Sequence, residues 1–193
     1  MAETWLFADP HFGHRLMAQL RGFGEDIAAH DQAIITTLIT HVRADDHLWG
    51  LGDLAMSRWA DALELMAAVP GHKQWVAGNH DVVHPMHRGA HKYQRRWLEV
   101  FESVHTAARL QWQGRPVLLS HFPYSADREQ YEAARFPQWR LPDHGGLLLH
   151  GHTHSPERLT GDHEVHVGLD AWGLRPVRLP DALAQLTAPA VPA

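Results

Sequence analysis

Five short segments, Asp9-Pro10-His11, Gly52-Asp53, Gly78-Asn79-His80-Asp81, His121 and Gly151-His152-Thr153-His154, hold nearly all the good metal ligands of the chain, and each follows a short apolar run. That placement constrains the fold more than any single motif does. A buried strand that runs into an aspartate or histidine delivers that side chain to the carboxyl edge of a sheet, where ligand sites of α/β folds form. Asp9, Asp53, Asn79, His121 and His152 all stand at such an end. Asp45-Asp46-His47 also matches D-x-H, but it precedes its apolar run and so belongs at the opposite edge, where the match is accidental. Glycines at 52, 78 and 151 fit sharp turns, because a residue without Cβ leaves room for them.

The donor types narrow the chemistry. Carboxylate, imidazole and amide oxygen without thiolate suit hard or borderline divalent cations, which activate water and neutralise phosphate. Phosphoester hydrolysis at two metal ions is therefore the leading reading. With 0 cysteines, disulfides, zinc ribbons, thiolate catalysis and iron–sulfur clusters are excluded. No H-E-x-x-H is present and no glutamate base accompanies the histidine pairs, which counts against peptide hydrolysis. The balance of 17 Lys+Arg against 22 Asp+Glu provides no basic field for tight binding of duplex DNA. Histidine is abundant, at 18 residues, so order and placement carry more weight than any one histidine motif.

At 193 residues and 45% hydrophobic content, the chain is expected to form a single domain over residues 1–186, with the Ala/Pro-rich residues 187–193 as a disordered tail. No apolar stretch approaches the ~20 residues that cross a bilayer, and no signal-peptide pattern precedes the first strand. A cytoplasmic enzyme without membrane association is expected. Strands are predicted at Thr4–Ala8, His47–Leu51, Gln74–Ala77, Leu110–Trp112, Val117–Ser120, Leu147–Leu149, Val165–Leu169 and Val177–Leu179. Apolar residues at helical spacing predict a helix from Ile27, capped by Asp26, to near Asp45, a second over Trp59–Val69 stopped by Pro70, and a third over Tyr93–Phe101. Residues His84–Lys92 are expected to be loop, Asp127–Arg135 loop or short helix, and Thr160-Gly161-Asp162 a turn.

D-x-H, G-D, G-N-H-D, H and G-H-x-H, in this order over roughly residues 4–180, resemble the calcineurin-like metallophosphoesterases. The wording of residues 5–14 and of Val167-Gly168-Leu169-Asp170-Ala171-Trp172 is similar to the small single-domain bacterial and phage branch. The resemblance implies an α/β fold of two packed mixed β-sheets flanked by helices, a four-layer αββα sandwich. It also implies two divalent metal ions, with Mn²⁺, Fe, Zn²⁺, Ni²⁺ and Co²⁺ all open. Asp9, His11 and His154 would hold one ion, Asn79, His121 and His152 the other, and Asp53 would bridge them. A hydroxide between the ions would attack phosphorus, and His80 would touch the phosphate and protonate the leaving oxygen. The substrate would be a small phosphoester or nucleotide, with cyclic or nucleotide-derived phosphodiesters ahead of phosphomonoesters. A non-enzymatic scaffold of the same fold is the remaining alternative, opposed by the completeness of the ligand set.

The remaining polar residues carry weaker signals. Relatives often have an aspartate where this chain has Met56 and an asparagine where it has Leu16, so the group that orients His80 is open, with Asp81 and Asp170 as candidates. His14 is a candidate substrate contact, with a capping or ligand-supporting role as the alternative. His84, His87, Arg88, His91 and Lys92 read as a solvated loop rather than a basic lip for substrate. His163 and His166 read as surface groups, and Asp170 as a residue that fixes a turn.

Overall fold

Successive side chains of a strand point to opposite faces, and the short apolar runs of this chain use that alternation to build two cores at once. The computed structural model describes residues 2–124 and 135–186. In chain order its elements are β1 (Thr4–Phe7), α1 (Arg15–Leu20), α2 (Ile27–His41), β2 (His47–Gly50), α3 (Trp59–Ala67), β3 (His72–Val76), α4 (Gln94–Trp97), β4 (Ser103–His105), β5 (Ala107–Trp112), β6 (Arg115–Ser120), β7 (Leu147–His150), β8 (Leu159–Gly161), β9 (Glu164–His166), β10 (Val177–Arg178) and α5 (Leu179–Ala184). One sheet has the order β10-β1-β2-β3-β4 and the other β5-β6-β7-β9-β8. In the first, β1 to β4 are parallel and β10 is an antiparallel edge. In the second, β6, β7 and β9 are parallel, and β5 and β8 pair antiparallel at the edges. Two mixed sheets flanked by helices are the architecture that the family resemblance implies.

Phe7, Leu48 and Trp75 point outward from the first sheet and pack under Ile34, Ile35 and Leu38 of α2 and Leu63 and Met66 of α3. Their neighbours Leu6 and Val76 point inward and meet Val117, Leu119, Leu149 and Val165 of the second sheet. The inner core thus fixes the distance between the sheets, and a parallel bridge between Ala8 and Gly168 continues the join beyond it.

Local signals explain the ends of α2. Asp26 caps α2 by accepting from the Ala29 N–H at 2.9 Å. The helix stops at His41, short of Asp45, because Val42 is already extended. The polar turn that follows serves Asp46, which is buried and accepts from the backbone N–H of Glu3 and Arg43 and from Trp5 Nε1. The second D-x-H is therefore structural and lies at the amino edge of the sheet. The helix expected over Tyr93–Phe101 contracts to the single turn α4, although Trp97 and Phe101 enter the core as their spacing required. Strand β4 and helices α1 and α5 were not foreseen. Thr160 and Gly161 lie in β8, so the turn shifts to residues 162–163. The expected loop or short helix at Asp127–Arg135 lies outside the described residues except for Arg135, as does the expected tail at 187–193.

Asp81 ties together the two loops that leave β2 and β3. It is 1% exposed, and its carboxylate accepts from the backbone N–H of Asp53 (3.0 Å), Leu54 (2.8 Å) and Gly78 (2.7 Å) and from Trp75 Nε1 (2.8 Å). Asp81→Asn would replace one acceptor oxygen by an N–H₂ group aimed at donors. Leaving such buried donors unmatched is expected to cost about 2–5 kcal/mol. Urea unfolding checks this, and a loss below about 0.5 kcal/mol would show that the loops do not depend on Asp81.

Candidate metal centre

Parallel strands from both sheets end on the same side of the molecule, and the ligand candidates lie just past those ends. Asp9 and His11 follow β1, Asp53 follows β2, and Asn79 and His80 follow β3, while His121 follows β6 and His152 and His154 follow β7. Backbone hydrogen bonds from Asp9 N to Gly52 O, His11 N to Asp53 O and Gly151 N to His121 O, each 3.1 Å, lock the loops to one another. Asp9, His11, Asp53, His152 and His154 all adopt left-handed backbone, with φ between 48° and 72°. Non-glycine residues reach that region at a cost of about 1–2 kcal/mol each, and such residues cluster at functional sites. Glycine is required beside them: a Cβ at Gly52 would lie 2.3 Å from His121 Nδ1, and one at Gly78 would lie 2.3 Å from Asp53 Oδ1.

The seven ligand candidates converge in two groups. Asp9, His11 and His154 bring donor atoms within 4.8 Å of one another, and so do Asp53, His121 and His152. His11 Nε2 and His154 Nε2 are 3.1 Å apart. His121 Nε2 lies 3.1 Å from both Asn79 Oδ1 and His152 Nδ1. Asp53 Oδ2 stands between the groups, 3.7 Å from His11 Nε2 and 3.6 Å from His121 Nε2.

Hydrogen bonding on the far side of two rings fixes what their inner nitrogens can be. His121 Nδ1 donates to the Leu51 carbonyl at 2.9 Å, so its Nε2 carries a lone pair in the neutral ring. That lone pair faces the Asn79 carbonyl oxygen, another acceptor, with no proton to share between them. His154 Nδ1 likewise donates to Asp170 Oδ2 at 2.9 Å and turns its Nε2 inward. Converging acceptors of nitrogen and oxygen type are what a borderline divalent cation needs, so the residues present fit metal ions.

The electrostatics agree. Burial holds His11 well below the ordinary imidazole range and lowers His121, leaving neutral rings with lone pairs to give. Although burial would raise it, the Asp9 carboxylate is held well below the usual range by the imidazoles of His166, His154, His121 and His11 around it. Burial and the charge of Asp9 push Asp53 up to about 7. For His154 burial works downward, but the Asp170 hydrogen bond and the charge of Asp9 raise it overall. His80 sits beside the cluster, 37% exposed, with Nε2 3.9 Å from Asp53 Oδ2 and its backbone N–H donated to Asp53 Oδ1 at 2.8 Å.

Other expectations need revision. Neither candidate orients His80: Asp81 serves the four donors described above, and Asp170 pairs with Arg21 and His154. Asp170 is thus more than a turn residue. His14 is half-buried with its ring 5.7 Å from that of His11, and its side chain makes no cap hydrogen bond to α1. His84 is not solvated but buried against Phe122 and Trp139, while His87 Nε2 donates to the Asn79 carbonyl at 2.9 Å and so supports the loop that carries Asn79. His166, expected on the surface, is fully buried with Nε2 3.8 Å from Asp9 Oδ2. His163 is 28% exposed and pairs with Asp143.

Comparison with known proteins places this geometry. The model of the calcineurin-like phosphoesterase superfamily domain matches residues 7–168. The chain is 39% identical to the Gene 66 protein of Mycobacterium phage L5 over 186 residues, covering 90% of this chain and 89% of that one. It is 40% identical to the Gene 66 protein of Mycobacterium phage D29 over 184 residues, covering 89% and 90%. A crystal structure of an Aquifex aeolicus protein of unknown function shares the fold, with a TM-score of 0.67 at 22% identity over 96% of this chain and 100% of that one. With the family pattern matched over most of its length, the chain belongs to the calcineurin-like phosphoesterase superfamily, whose members are metal-dependent.

Proposed function

We propose that the protein is a phosphoesterase with two metal ions, one held by Asp9, His11 and His154 and the other by Asn79, His121 and His152, with Asp53 shared between them. The observation that carries this reading is the acceptor-to-acceptor approach of His121 Nε2 and Asn79 Oδ1 at 3.1 Å, with Asp53 Oδ2 between the two groups. Divalent cations such as Mn²⁺ or Zn²⁺ would supply Lewis acidity toward phosphoryl oxygens and a water of lowered pKa. The chain's own residues do the rest. Asp9 and Asp53 are the only carboxylates among the seven proposed ligands, so two divalent cations leave the pocket net positive, and an acidic chain still attracts an anionic substrate.

His80 is the proton donor in this reading. Burial lowers its pKa against the charge of Asp53, so the free site holds it neutral. An arriving phosphate brings a further negative charge beside the ring and raises its pKa again, which favours the imidazolium that protonates a departing alkoxide.

Cyclic or nucleotide-derived phosphodiesters are the proposed substrates, acted on in the cytoplasm. The described residues form the two sheets, five α-helices and their connections, and a single-domain enzyme with an open site would admit substituents on both sides of phosphorus. No described helix is long and apolar enough to cross a membrane. One observation favours phosphomonoesters instead: Arg135 Nη2 lies 3.4 Å from His152 Nε2, where a guanidinium can pair with a terminal phosphate dianion. Specificity constants for bis(4-nitrophenyl) phosphate and 4-nitrophenyl phosphate decide between them. Diester hydrolysis at least equal to monoester hydrolysis is expected, and a strong monoester preference would reverse the ranking.

Neighbouring residues separate metal binding from proton transfer. Asn79→Ala is expected to weaken metal binding and activity together, with partial rescue by excess metal. His80→Ala is expected to retain the metal content and lose about 10²–10⁴-fold in turnover of alkyl diesters, with a smaller loss for nitrophenyl esters whose leaving group departs without protonation. Loss of metal from His80→Ala, or unchanged alkyl-diester turnover, contradicts the assignment.

A further inference from the structure

Arg21, the residue that closes α1, is not a metal ligand, yet its side chain is only 4% exposed and every N–H of its guanidinium is used. Nε and Nη2 fork onto Asp170 Oδ1 and Oδ2 at 2.9 and 3.0 Å. Nη2 also donates to the Asp9 carbonyl at 2.7 Å, and Nη1 donates to the Pro10 carbonyl at 3.0 Å and to His30 Nε2 at 3.1 Å. His30 is held as the acceptor because its Nδ1 donates to Asp31 Oδ1 at 2.8 Å, and Asp31 Oδ2 in turn receives the Gly13 N–H at 2.9 Å. On the other side, Asp170 Oδ2 receives the His154 Nδ1–H. One hydrogen-bonded chain therefore runs from the first loop, through a buried guanidinium, to an inward-facing imidazole.

Each contact addresses a problem of ligand geometry. The carbonyls of Asp9 and Pro10 flank two left-handed residues, Asp9 at φ 58° and His11 at φ 48°, whose backbone needs outside support. Asp170, clamped by a bidentate fork, has one rotamer available and so fixes both the tautomer and the tilt of His154. The positive charge of Arg21 beside a cation site is tolerable because Asp170 neutralises it.

We propose that Arg21 and Asp170 are positioning residues for one half of the metal centre, the Asp9/His11/His154 half, and not for the Asn79/His121/His152 half. This rests on the reading that the centre holds two cations. Its signature is selective loss of one of two metal affinities, which a general structural role does not produce.

The test is calorimetric titration of chelator-treated protein with Mn²⁺, with thermal unfolding of the metal-free forms as a fold control. Wild type is expected to show two sites. Asp170→Asn and Arg21→Met are expected to weaken one site 10–100-fold, the range for loss of a ligand's hydrogen-bond partner, and to leave the other within threefold. Arg21→Lys, which keeps the charge without the fork, is expected to resemble Arg21→Met. In an Asn79→Ala background, which weakens the other half, adding Asp170→Asn is expected to abolish measurable binding at both. Should a single variant fail to fold because one buried charge is left alone, the double variant Arg21→Met/Asp170→Asn removes both charges and gives the same reading. Equal weakening of both sites, or unchanged affinities in variants of a wild type that binds two ions, overturns the inference alone. A wild type that binds fewer than two ions overturns the two-cation reading and this inference with it.

Discussion

Acceptor atoms that face one another across about a hydrogen-bond length repel unless something positive lies between them. In this protein His121 Nε2 and Asn79 Oδ1 are held in that way, and Asp53 adds a carboxylate to the same space. Holding the arrangement requires left-handed backbone at five of the seven candidate positions, each at a cost of about 1–2 kcal/mol. The folded chain stores unfavourable geometry at one edge and offsets it with two apolar cores. Cations at the centre would turn the same repulsion into ligation.

The centre straddles the two sheets. Asp9, His11, Asp53 and Asn79 come from the first, and His121, His152 and His154 come from the second. Their mutual distances are therefore set by the inner core, where Leu6, Leu51 and Val76 meet Val117, Leu119 and Leu149, far from any ligand in chemical character. Asp81 then fixes the β2 and β3 loops against each other, and Arg21 fixes the β1 loop against the segment that follows β9. Packing sets the spacing of the sheets, and buried charge sets the aim of the side chains.

The gathering of the candidate ligands at one edge was legible in the sequence because they follow strand ends, and a strand end is marked by local patterning. The position of Asp9 after its apolar run and of Asp45 before the next one was enough to place Asp9 in the cluster and Asp45 at the other edge. What supports the ligands was not legible. Arg21 and Asp170 are 149 residues apart, and no local period connects them. His166 and His84 read as surface residues because histidine is polar, whereas both lie buried beside the loops of the cluster, where an imidazole ring packs as an aromatic. The short elements β4, α1 and α5 carry too few residues for periodicity to register, and tertiary packing decides them.

The number of cations held by the converging acceptors is expected to be two rather than one or none. Anomalous diffraction from crystals of Mn²⁺-loaded protein measures it directly. Two peaks about 3.5–4 Å apart are expected, one bounded by Asp9, His11 and His154 and the other by Asn79, His121 and His152, with the Asp53 carboxylate between them. A single peak, or none in fully loaded protein, would contradict it.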